Sequence, residues 1–580
     1  MPPTPTPSIF QALRLWTSKP IRWFPPLLSF IFIFWLFGPS LFHTGPPPPH
    51  RFHNGLPPAI GHPHRPPSRI PPDDTHIWPT RANQVRKAFI HGYEGYRKHA
   101  FQADELLPVS GKKVNNFNGW GVTIYDALDT MWIMGLDDYF SEALDLISKA
   151  DFTIPPNEFV PFFETIIRYL GGLLSAYALS GKPVLLEKAD MLGEMLLPAF
   201  DTQSGLPMFA VNPQNKYLAH LTGKSEYFTK SERIMQIMYT SNITNGVFPT
   251  MWDTLTAQPK NAQFSVGAFA DSAHEYLLKQ WLLTSRSEDK IRDLYLQATN
   301  AIINNLLYLS PDRDFLYVTD TTFTPSHTNS NSNSNTDSPE SNPNITQKHT
   351  PTHTFEHLSC FLPGLFALGT TTSSALPFTS TEERELHTWA AEGLGYACWL
   401  SYADQETGLG PDEMVVTSSS SSGKWVDALA EWRAKDKGKG RPPGLREVPP
   451  EGSIGRRGYT NRKQTYLLRP ETIESFYILW RTTGDERWRE RGWAIFQAIE
   501  KHAKTEYGYA SVYNVDEDES RLKDEMPSYF LAETLKYLYL LFTDEEIIPL
   551  DKWVFNTEAH PLPIFEWTEE EKKVYGIGVS

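Results

Sequence analysis

The sequence predicts an all-α fold that is built from repeated helical hairpins. The clearest hairpin begins at Glu471, where a carboxylate opens an apolar helix that ends before Gly484 and is followed by an amphipathic helix. The same pattern begins at Glu164 and at Asp271. Glycine is favoured just after the last residue of a helix, so Gly484 marks a helix end. Repeated hairpins either stack into a solenoid or close into a ring.

The acids at the helix starts allow two interpretations. If the hairpins close into a ring, its inner helices share a direction, and Glu164, Asp271 and Glu471 gather at one rim, which is a catalytic geometry. An acid in a first turn also complements the helix dipole, and that explanation suffices for any one of the three. Three such acids, each followed by a largely apolar helix, favour a shared site.

Length and charge limit the class of protein. The 580 residues could form about four domains, but the hairpins recur from Arg86 to Phe542, which favours one large helical domain. The net charge is −15, and the one sizeable basic tract is residues 433–446. Nucleic acid is therefore not an expected partner.

The N-terminal region is expected to anchor the protein in a membrane. Residues 23–42 form an uncharged, mostly apolar run of about the 20 residues that cross a bilayer. Positive charges before this run place residues 1–22 in the cytosol, and a cleaved signal peptide is the alternative. Residues 43–79 are rich in proline and histidine and are expected to form an extended stalk. The globular domain then spans residues 80–580.

Two segments interrupt the helical pattern. Residues 321–354 are rich in Ser, Asn and Thr, and residues 418–450 are Ser-rich, then charged and Pro-rich. Both compositions are typical of disordered surface insertions. The two cysteines, Cys360 and Cys398, favour a disulfide in a secretory chain and free thiols in a cytosolic one.

The end of the chain combines an apolar helix with a group of oxygen donors. Residues 528–542 form the helix, which carries Glu533, and a short β-like run follows at residues 554–561. If this run enters the ring, Thr557 and Glu558 lie at its centre. Oxygen donors favour a hard cation such as calcium. An ordinary β-turn is the alternative.

Taken together, these motifs resemble the class I α-1,2-mannosidases of glycoside hydrolase family 47. The resemblance covers residues 86–563 and rests on blocks that occur in the family's order. The blocks are Gly119–Gly121, Asp126–Thr130, Phe163–Leu174, Asp271–Lys279, His357–Gly364, Leu468–Ser475, Ala532–Tyr537 and Phe555–Pro561.

The resemblance implies an (α/α)7 barrel that is plugged at one end by a C-terminal hairpin. It implies a calcium ion at the base of the sugar pocket, bound by the carbonyl and hydroxyl of Thr557, and a disulfide between Cys360 and Cys398. The implied reaction is inverting removal of α-1,2-linked mannose from high-mannose N-glycans in the endoplasmic reticulum or Golgi. The catalytic domain of a type II membrane protein would then be lumenal, and a monomer is expected.

Inverting hydrolysis requires an acid and a base about 6.5–9.5 Å apart, with room for a water molecule. By its match to the family, Glu164 is interpreted as the general acid and Glu471 as the general base, with Asp271 as the competing acid. The same matching predicts these substrate-binding residues: Arg168, His357, Arg469, Glu474, Tyr529, Glu533 and Glu558. A purely structural hydrogen bond is the favoured interpretation for His357 alone.

Two departures from the family bear on activity. The segment at residues 208–216 is shorter than in the family and lacks a helix start that supplies another pocket glutamate, so impaired activity or folding is expected. Phe269 replaces an arginine that marks the members removing a single mannose, which predicts release of several mannoses. A catalytically impaired glycan-binding or degradation-targeting relative is one alternative function. A helical-repeat scaffold, with acids scattered around the ring, is another.

Overall fold

The computed structural model describes the chain from residue 77 to residue 578, with gaps. The described ranges are 77–154, 160–207, 214–241, 243, 246–326, 346–372, 376–378, 380–418, 423–436 and 439–578. The expected cytosolic tail, the expected membrane anchor at 23–42 and nearly all of the expected stalk lie outside these ranges. Within them, no helix combines the length and the apolar character needed to span a membrane.

Helices dominate the described residues, which confirms the predicted all-α class. In chain order they are α1 (Ile77–His99), α2 (Val122–Asp126), α3 (Leu128–Ile133), α4 (Asp137–Ser148), α5 (Phe162–Glu164), α6 (Gly171–Ser180), α7 (Pro183–Leu196), α8 (Gln214–Thr222), α9 (Ser225–Thr240), α10 (Asp271–Leu283), α11 (Asp289–Asn305), α12 (Leu362–Thr371), α13 (Thr381–Ala403), α14 (Trp425–Asp436), α15 (Glu471–Thr483), α16 (Arg487–His502), α17 (Leu535–Phe542) and α18 (Glu569–Tyr575). Two π-helical segments, Thr165–Leu170 and Phe530–Thr534, lead directly into α6 and α17.

The strands are short, and their sheets have two or three strands each within the described part of the chain. They are β1 (Glu105–Leu107), β2 (Lys112–Val114), β3 (Gln263–Phe264), β4 (Leu307–Leu309), β5 (Leu316–Val318), β6 (Thr321–Ser326), β7 (Thr346–Pro351), β8 (Thr354–Glu356), β9 (Glu413–Val416), β10 (Tyr459–Lys463), β11 (Ser511–Val512), β12 (Leu522–Lys523), β13 (Trp553–Phe555) and β14 (Pro561–Pro563). They connect helices and contribute to the surroundings of the site, but they do not form a core sheet.

The helix ends follow the signals that the sequence carries. Asp271 is the first residue of α10 and Glu471 the first of α15, as predicted. Gly484 ends α15 with a φ of 70° and donates to the Trp480 carbonyl at 2.8 Å. Gly181 ends α6 in the same way, with a φ of 67°. Glycine reaches this left-handed conformation without the steric penalty that a Cβ atom causes.

Consecutive helices pack against each other in pairs. The pairs are α3 with α4, α6 with α7, α8 with α9, α10 with α11, α12 with α13 and α15 with α16, and α17 packs on α1. The first helices also contact each other in order, namely α3 with α6, α6 with α8, α10 with α12, α12 with α15, and α15 with α17. The π-helical segment before α17 contacts α3. The last apolar helix of the chain is thereby brought against the first hairpin.

A C-terminal hairpin occupies the space between two of these first helices. Strands β13 and β14 pair antiparallel, with β13 packed on α10 and β14 packed on α6. Residues 556–560 form the turn between the strands and are largely buried. Beyond the hairpin, α18 packs on α9, where the rings of Phe228 and Tyr575 stack 4.0 Å apart.

The two cysteines form a disulfide. It joins the 3₁₀ turn before α12 to the C-terminal part of α13, with the Cα atoms of Cys360 and Cys398 5.9 Å apart. Both residues are buried.

The prediction of disorder is wrong for both ends of the first insertion. Residues Thr321–Ser326 and Thr346–Pro351 pair as antiparallel strands, and β3 extends the sheet. The ring of Phe323 is buried and stacks on that of Phe264 at 4.4 Å. A polar composition concealed this local strand preference, which comes from the Thr residues and one anchoring aromatic side chain.

The second insertion also contains ordered structure, which corrects its interpretation as a disordered excursion. Within it, Trp425–Asp436 forms α14. Trp425 and Leu429, one turn apart, are both buried, and the Trp425 indole donates to the Pro443 carbonyl at 2.9 Å. The last residues of the expected stalk are helical as well, because α1 begins at Ile77.

Candidate active site

A cavity of about 210 Å³ opens where several of the first helices begin. Its walls come from the start of α5, the two π-helical segments, and the first turns of α10 and α15, and its floor includes the turn between β13 and β14. The lining residues are Phe163, Glu164, Ile167, Arg168, Ala268, Asp271, Ser272, Glu275, Leu358, Phe361, Arg469, Pro470, Glu471, Glu474, Tyr529, Glu533, Thr557 and Glu558.

The structure brings nearly all of the sequence-predicted site residues together. Glu164, Asp271 and Glu471 share the cavity with Thr557 and with every predicted substrate-binding residue except His357. His357 lies behind the wall, where it contacts Glu471. A helical-repeat scaffold would have its acids scattered around the ring. Among the described residues, Glu164, Asp271 and Glu471 instead share one cavity.

Glu471 is arranged to remain an ionised carboxylate. The Nδ1 atom of His357 donates to its Oε2 at 2.9 Å, and the Arg469 guanidinium lies 3.9 Å from its Oε1. Burial alone would raise the pKa of Glu471, but the hydrogen bond and charge of His357, together with Arg469, lower it below its usual value. The other ring nitrogen of His357 lies 2.6 Å from the Tyr402 hydroxyl, which holds the imidazole in place. An ionised carboxylate of this kind can accept a proton.

Asp271 has the opposite character. It is the first residue of α10 and accepts hydrogen bonds from the backbone N–H of Ser272 at 2.6 Å and from its hydroxyl at 3.1 Å. Burial, and then the negative charges of Glu275 and Glu471, raise the pKa of Asp271 to about 7, although the bonds from Ser272 oppose this rise. A carboxyl group that is protonated near neutral pH can donate a proton.

Glu164 is held by an arginine. The Nε atom of Arg168, one turn further on, donates to Glu164 Oε2 at 2.7 Å. Arg168 also pairs with Glu558 and lies 3.3 Å from Asp126, so one guanidinium serves three carboxylates. The Glu164 side chain is 33% exposed, whereas those of Arg168 and Asp126 are 9% and 0% exposed. Glu164 is therefore the wall carboxylate that is open to the cavity and fixed by a charge partner.

The floor of the cavity is rich in buried carboxylates. Lys279 pairs with Glu275 and lies 3.1 Å from Glu474. Burial raises the pKa of Glu474 to about 7, against the opposing effect of Lys279. Glu533 has no ion pair within the described residues, and its burial beside Glu558 and Glu471 holds its pKa well above the usual range. Among the described residues, the floor therefore holds more carboxyl groups than Lys279 and Arg168 pair with.

The oxygen donors on this floor suit a hard cation that is bound by few side chains directly. Thr557 contributes a hydroxyl and a carbonyl, and its backbone N–H lies 3.3 Å from the Tyr276 hydroxyl. In the described part of the chain, no group of three or more His, Cys, Asp or Glu side chains is placed to bind a metal ion together. The neighbouring carboxylates would act on such an ion by charge, and oxygen donors favour calcium over zinc.

Sequence reasoning missed Glu275 as a cavity residue, although a signal was present. Asp271, Glu275 and Lys279 are spaced four residues apart and therefore share one face of α10. Tyr529 and Glu533 share a face in the same way. Both π-helical segments carry cavity residues, Arg168 in one and Glu533 in the other, and such segments occur frequently at functional sites.

Comparison with known proteins identifies the family. Residues 88–217 and 214–564 match the model of Glycosyl hydrolase family 47. The chain belongs to this family. The family 47 chain is 33% identical over 83% of its length to "Mannosyl-oligosaccharide alpha-1,2-mannosidase IA" of Spodoptera frugiperda, 66% of which is covered. It is also 33% identical over 87% of its length to "Endoplasmic reticulum mannosyl-oligosaccharide 1,2-alpha-mannosidase" of Homo sapiens, 67% of which is covered.

A solved structure supports the same assignment. The structure of the alpha-1,2-mannosidase from Trichoderma reesei superposes with a TM-score of 0.69 at 26% sequence identity. The match covers 84% of this family 47 chain and 99% of the fungal one. The chain thus spans nearly all of the fungal chain, but about two thirds of the length of the two relatives named above.

The family match is divided at one place. Its two parts overlap at residues 214–217, at the end of the segment 208–216 that is predicted to be shorter than in the family. Helix α8 of the family 47 chain begins at Gln214 and has 9 residues, compared with 13 in α10 and 13 in α15. Within the described residues, α8 contributes no side chain to the lining of the cavity.

Proposed function

We propose that this protein is a calcium-dependent, inverting α-1,2-mannosidase that removes terminal mannose from high-mannose N-glycans of glycoproteins. The observation that carries this proposal is that Glu164, Asp271 and Glu471 share one cavity with Thr557. Its volume of about 210 Å³ is below the roughly 300–1,000 Å³ of pockets for drug-sized ligands. A cavity of that size suits one terminal sugar.

In the proposed reaction, Glu471 is the general base and takes a proton from the attacking water. The anomeric carbon forms a bond to the water oxygen on one face, and its bond to the glycosidic oxygen breaks on the other. Asp271 supplies the proton to the leaving oxygen, because its raised pKa keeps it protonated near pH 7. Glu164, fixed by Arg168, binds and orients the sugar, which revises its sequence-based interpretation as the acid.

Calcium fits the floor of the cavity. Thr557 would hold the ion through its hydroxyl and carbonyl oxygens, and the surrounding carboxylates Glu275, Glu474, Glu533 and Glu558 supply compensating charge. When bound, the ion supplies orientation of water and sugar hydroxyls and screening of these carboxylates. Lys279 holds Glu275 and Glu474 in place, and Arg168 holds Glu558.

The fold that goes with this activity is an (α/α)7 barrel that is plugged by the β13–β14 hairpin. The order of helix contacts supports it. The first helices of successive pairs pack on each other, and so do the second helices, namely α4 on α7, α9 on α11, α11 on α13 and α16 on α1. A barrel gathers the starts of its inner helices at one end, which explains why acids far apart in the chain share a cavity.

For the cellular setting, we propose the lumen of the endoplasmic reticulum or Golgi. The apolar run at residues 23–42, with positive charge on its N-terminal side, would be a type II anchor. The name of the human relative, an endoplasmic reticulum enzyme, supports this compartment. A buried disulfide is also typical of the secretory pathway. We further expect a monomer that does not bind nucleic acid.

The proposal is tested by incubating the purified protein with a high-mannose oligosaccharide, with and without a calcium chelator. We expect mannose release that falls about 100-fold on chelation and recovers with added calcium, because a bound ion contributes several kcal/mol to such a reaction. Proton NMR of the first product should show β-mannose, the inverted anomer. Phe269 lies in the chain between the cavity residues Ala268 and Asp271 and is 76% exposed, and products lacking several mannoses are expected. Release that is insensitive to chelation would contradict calcium dependence.

A second candidate function is a glycan-binding relative with impaired catalysis. The divided family match favours it specifically, because a shortened segment at residues 208–216 would remove one carboxylate from the cavity wall. A hydrogen bond to a charged group contributes about 1.5–3 kcal/mol, which corresponds to about 10–100-fold in rate. We therefore expect a chain with a family-length segment at residues 208–216 to release mannose at least about tenfold faster.

The control for this comparison is a chain that carries a Gly/Ser segment of equal length at the same place. It separates the return of a side chain from the return of length alone. Equal rates for the original and the restored chain would show that the shortening does not impair activity.

A further inference from the structure

The turn between β13 and β14 carries Thr557 and Glu558 to the cavity floor, so its position determines the geometry there. Asn556 organises the turn internally, because its side-chain oxygen accepts from the backbone N–H of Glu558 at 2.9 Å and of His560 at 2.7 Å. Its side-chain amide donates to the Ile167 carbonyl at 3.1 Å. That bond attaches the turn to the π-helical segment before α6, and a further attachment lies at the other end of the turn.

His560 makes that attachment. Its ring is fully buried, with Nδ1 2.9 Å from Asp129 Oδ2 and Nε2 3.2 Å from Asp126 Oδ1. An ionised carboxylate only accepts hydrogen bonds, so both ring nitrogens donate and the ring is an imidazolium. Burial lowers the pKa of His560, but the charge of Asp129 and the two hydrogen bonds outweigh it and raise the pKa above its usual value.

Asp129 and Asp126 each pair with a further cation besides His560. Asp129 also lies 2.9 Å from the Lys536 ammonium, and Lys536 donates to the Ala559 carbonyl at 2.6 Å, a second contact to the turn. Asp126 lies 3.3 Å from Arg168, the residue that pairs with Glu164 and Glu558. A continuous series of ion pairs therefore connects His560 to a carboxylate of the cavity wall.

Gly171, at the start of α6, leaves room for the His560 imidazole. A Cβ atom on Gly171, at the start of α6, would lie 2.8 Å from His560 Cδ2 and 2.7 Å from the Asn556 amide nitrogen. Contacts below 3.0 Å would force one of the groups to move. The turn thus packs directly on the α6 backbone, and a shift of the ring would displace the cavity floor.

We propose that His560 is a positioning residue: its imidazolium, held between Asp126 and Asp129, fixes the turn that presents Thr557 and Glu558 and, through Asp126 and Arg168, the orientation of Glu164. His560 does not line the cavity, so it acts through these neighbours. The kinetic part of this proposal rests on the proposed mannosidase function, whereas the structural part does not.

The test compares His560→Asn with His387→Asn as the matched control. His387 is equally buried, lies 3.0 Å from the Asn300 side-chain oxygen, and belongs to α13, outside the cavity lining. Hydrogen exchange of residues 555–561 is measured in both variants of the full chain. We expect exchange there to become at least about tenfold faster in His560→Asn and to remain unchanged in His387→Asn.

The second measurement separates kcat from KM. We expect His560→Asn to lower kcat by about 10–100-fold, the usual cost of losing a residue that orients a functional group, with a smaller change in KM. His387→Asn should leave both constants near those of the original chain.

The outcomes distinguish this proposal from the proposed function. Unchanged exchange at residues 555–561 in a folded His560→Asn chain would overturn the positioning role, whatever the enzyme does. Equal loss of kcat in His387→Asn would also overturn it, since the effect would then follow stability alone. If the original chain releases no mannose, the proposed function fails, but faster exchange confined to residues 555–561 still supports the role of His560 in holding the turn.

Discussion

Replacing Glu471 with glutamine should lower kcat for mannose release by about 10²–10⁴-fold, the contribution typical of a general base. The amide has nearly the same shape as the carboxylate but cannot accept the proton of the attacking water. KM should change little, because the other groups that line the cavity remain in place. The measurement is steady-state release of mannose at saturating substrate and calcium.

The matched control for this prediction is Glu500→Gln. Glu500 lies outside the cavity lining, where it accepts a hydrogen bond from Tyr509 and pairs with Lys504 at 2.7 Å. This variant should keep kcat within about twofold of the original chain, since removal of a surface ion pair costs little. A Glu471→Gln chain that is folded and retains a tenth or more of the original kcat would exclude Glu471 as the base.

Replacing Asp271 with asparagine should lower kcat by about 10²–10⁴-fold and should also change the pH profile. The pKa of Asp271 is raised to about 7, so the group is protonated below that pH and ionised above it. A general acid must be protonated, and the rate of the original chain should therefore fall as the pH rises through about 7. This alkaline limb should disappear in Asp271→Asn, because asparagine does not titrate.

The acid limb of the same pH profile reports the ionisation of the general base, Glu471. The pKa of Glu471 is lowered by His357 and Arg469, so the carboxylate stays ionised down to a pH below the usual pKa of a glutamate. The rate should therefore decline only at low pH, and that limb should persist in Asp271→Asn. Rates measured at constant ionic strength from pH 9 down to a pH below the usual pKa of glutamate reveal both limbs.

Glu164→Gln decides between the two candidate acids. Because Glu164 is paired with Arg168 at 2.7 Å and is one-third exposed, its loss should weaken sugar binding and raise KM while the alkaline limb remains. If Glu164→Gln removes the alkaline limb and Asp271→Asn keeps it, Glu164 is the acid and the assignment made here is wrong.

Local sequence signals predicted the starts of the helices and the residue types of the site. Glu471 and Asp271 stand at helix starts as expected, since an acid in the first turn complements exposed N–H groups and the helix dipole. The resemblance to family 47 then brought Thr557 and the substrate-binding residues into one hypothesis. The predicted helix starts were confirmed because each depends on residues that are close together in the chain.

The sequence was a poor guide where composition and tertiary packing disagree. The Ser/Thr-rich ends of the first insertion form paired strands because Phe323 packs on Phe264, a partner far away in the chain. Trp425 likewise anchors a helix within the second insertion, where it and Leu429 are buried. Contacts of this kind have no local signature, so a prediction from composition does not detect them.

The sequence by itself determined the helical class, the acids that open the helices and the family. Only the tertiary structure decided which carboxylate stays ionised and which holds a proton. That division depends on neighbours brought from distant segments: His357 lowers the pKa of Glu471, while burial in the folded chain, with the charge of Glu471 among the further causes, raises that of Asp271. The physical reason is that a carboxyl group's charge state follows its local solvation and charge partners, and both exist only once the chain has folded.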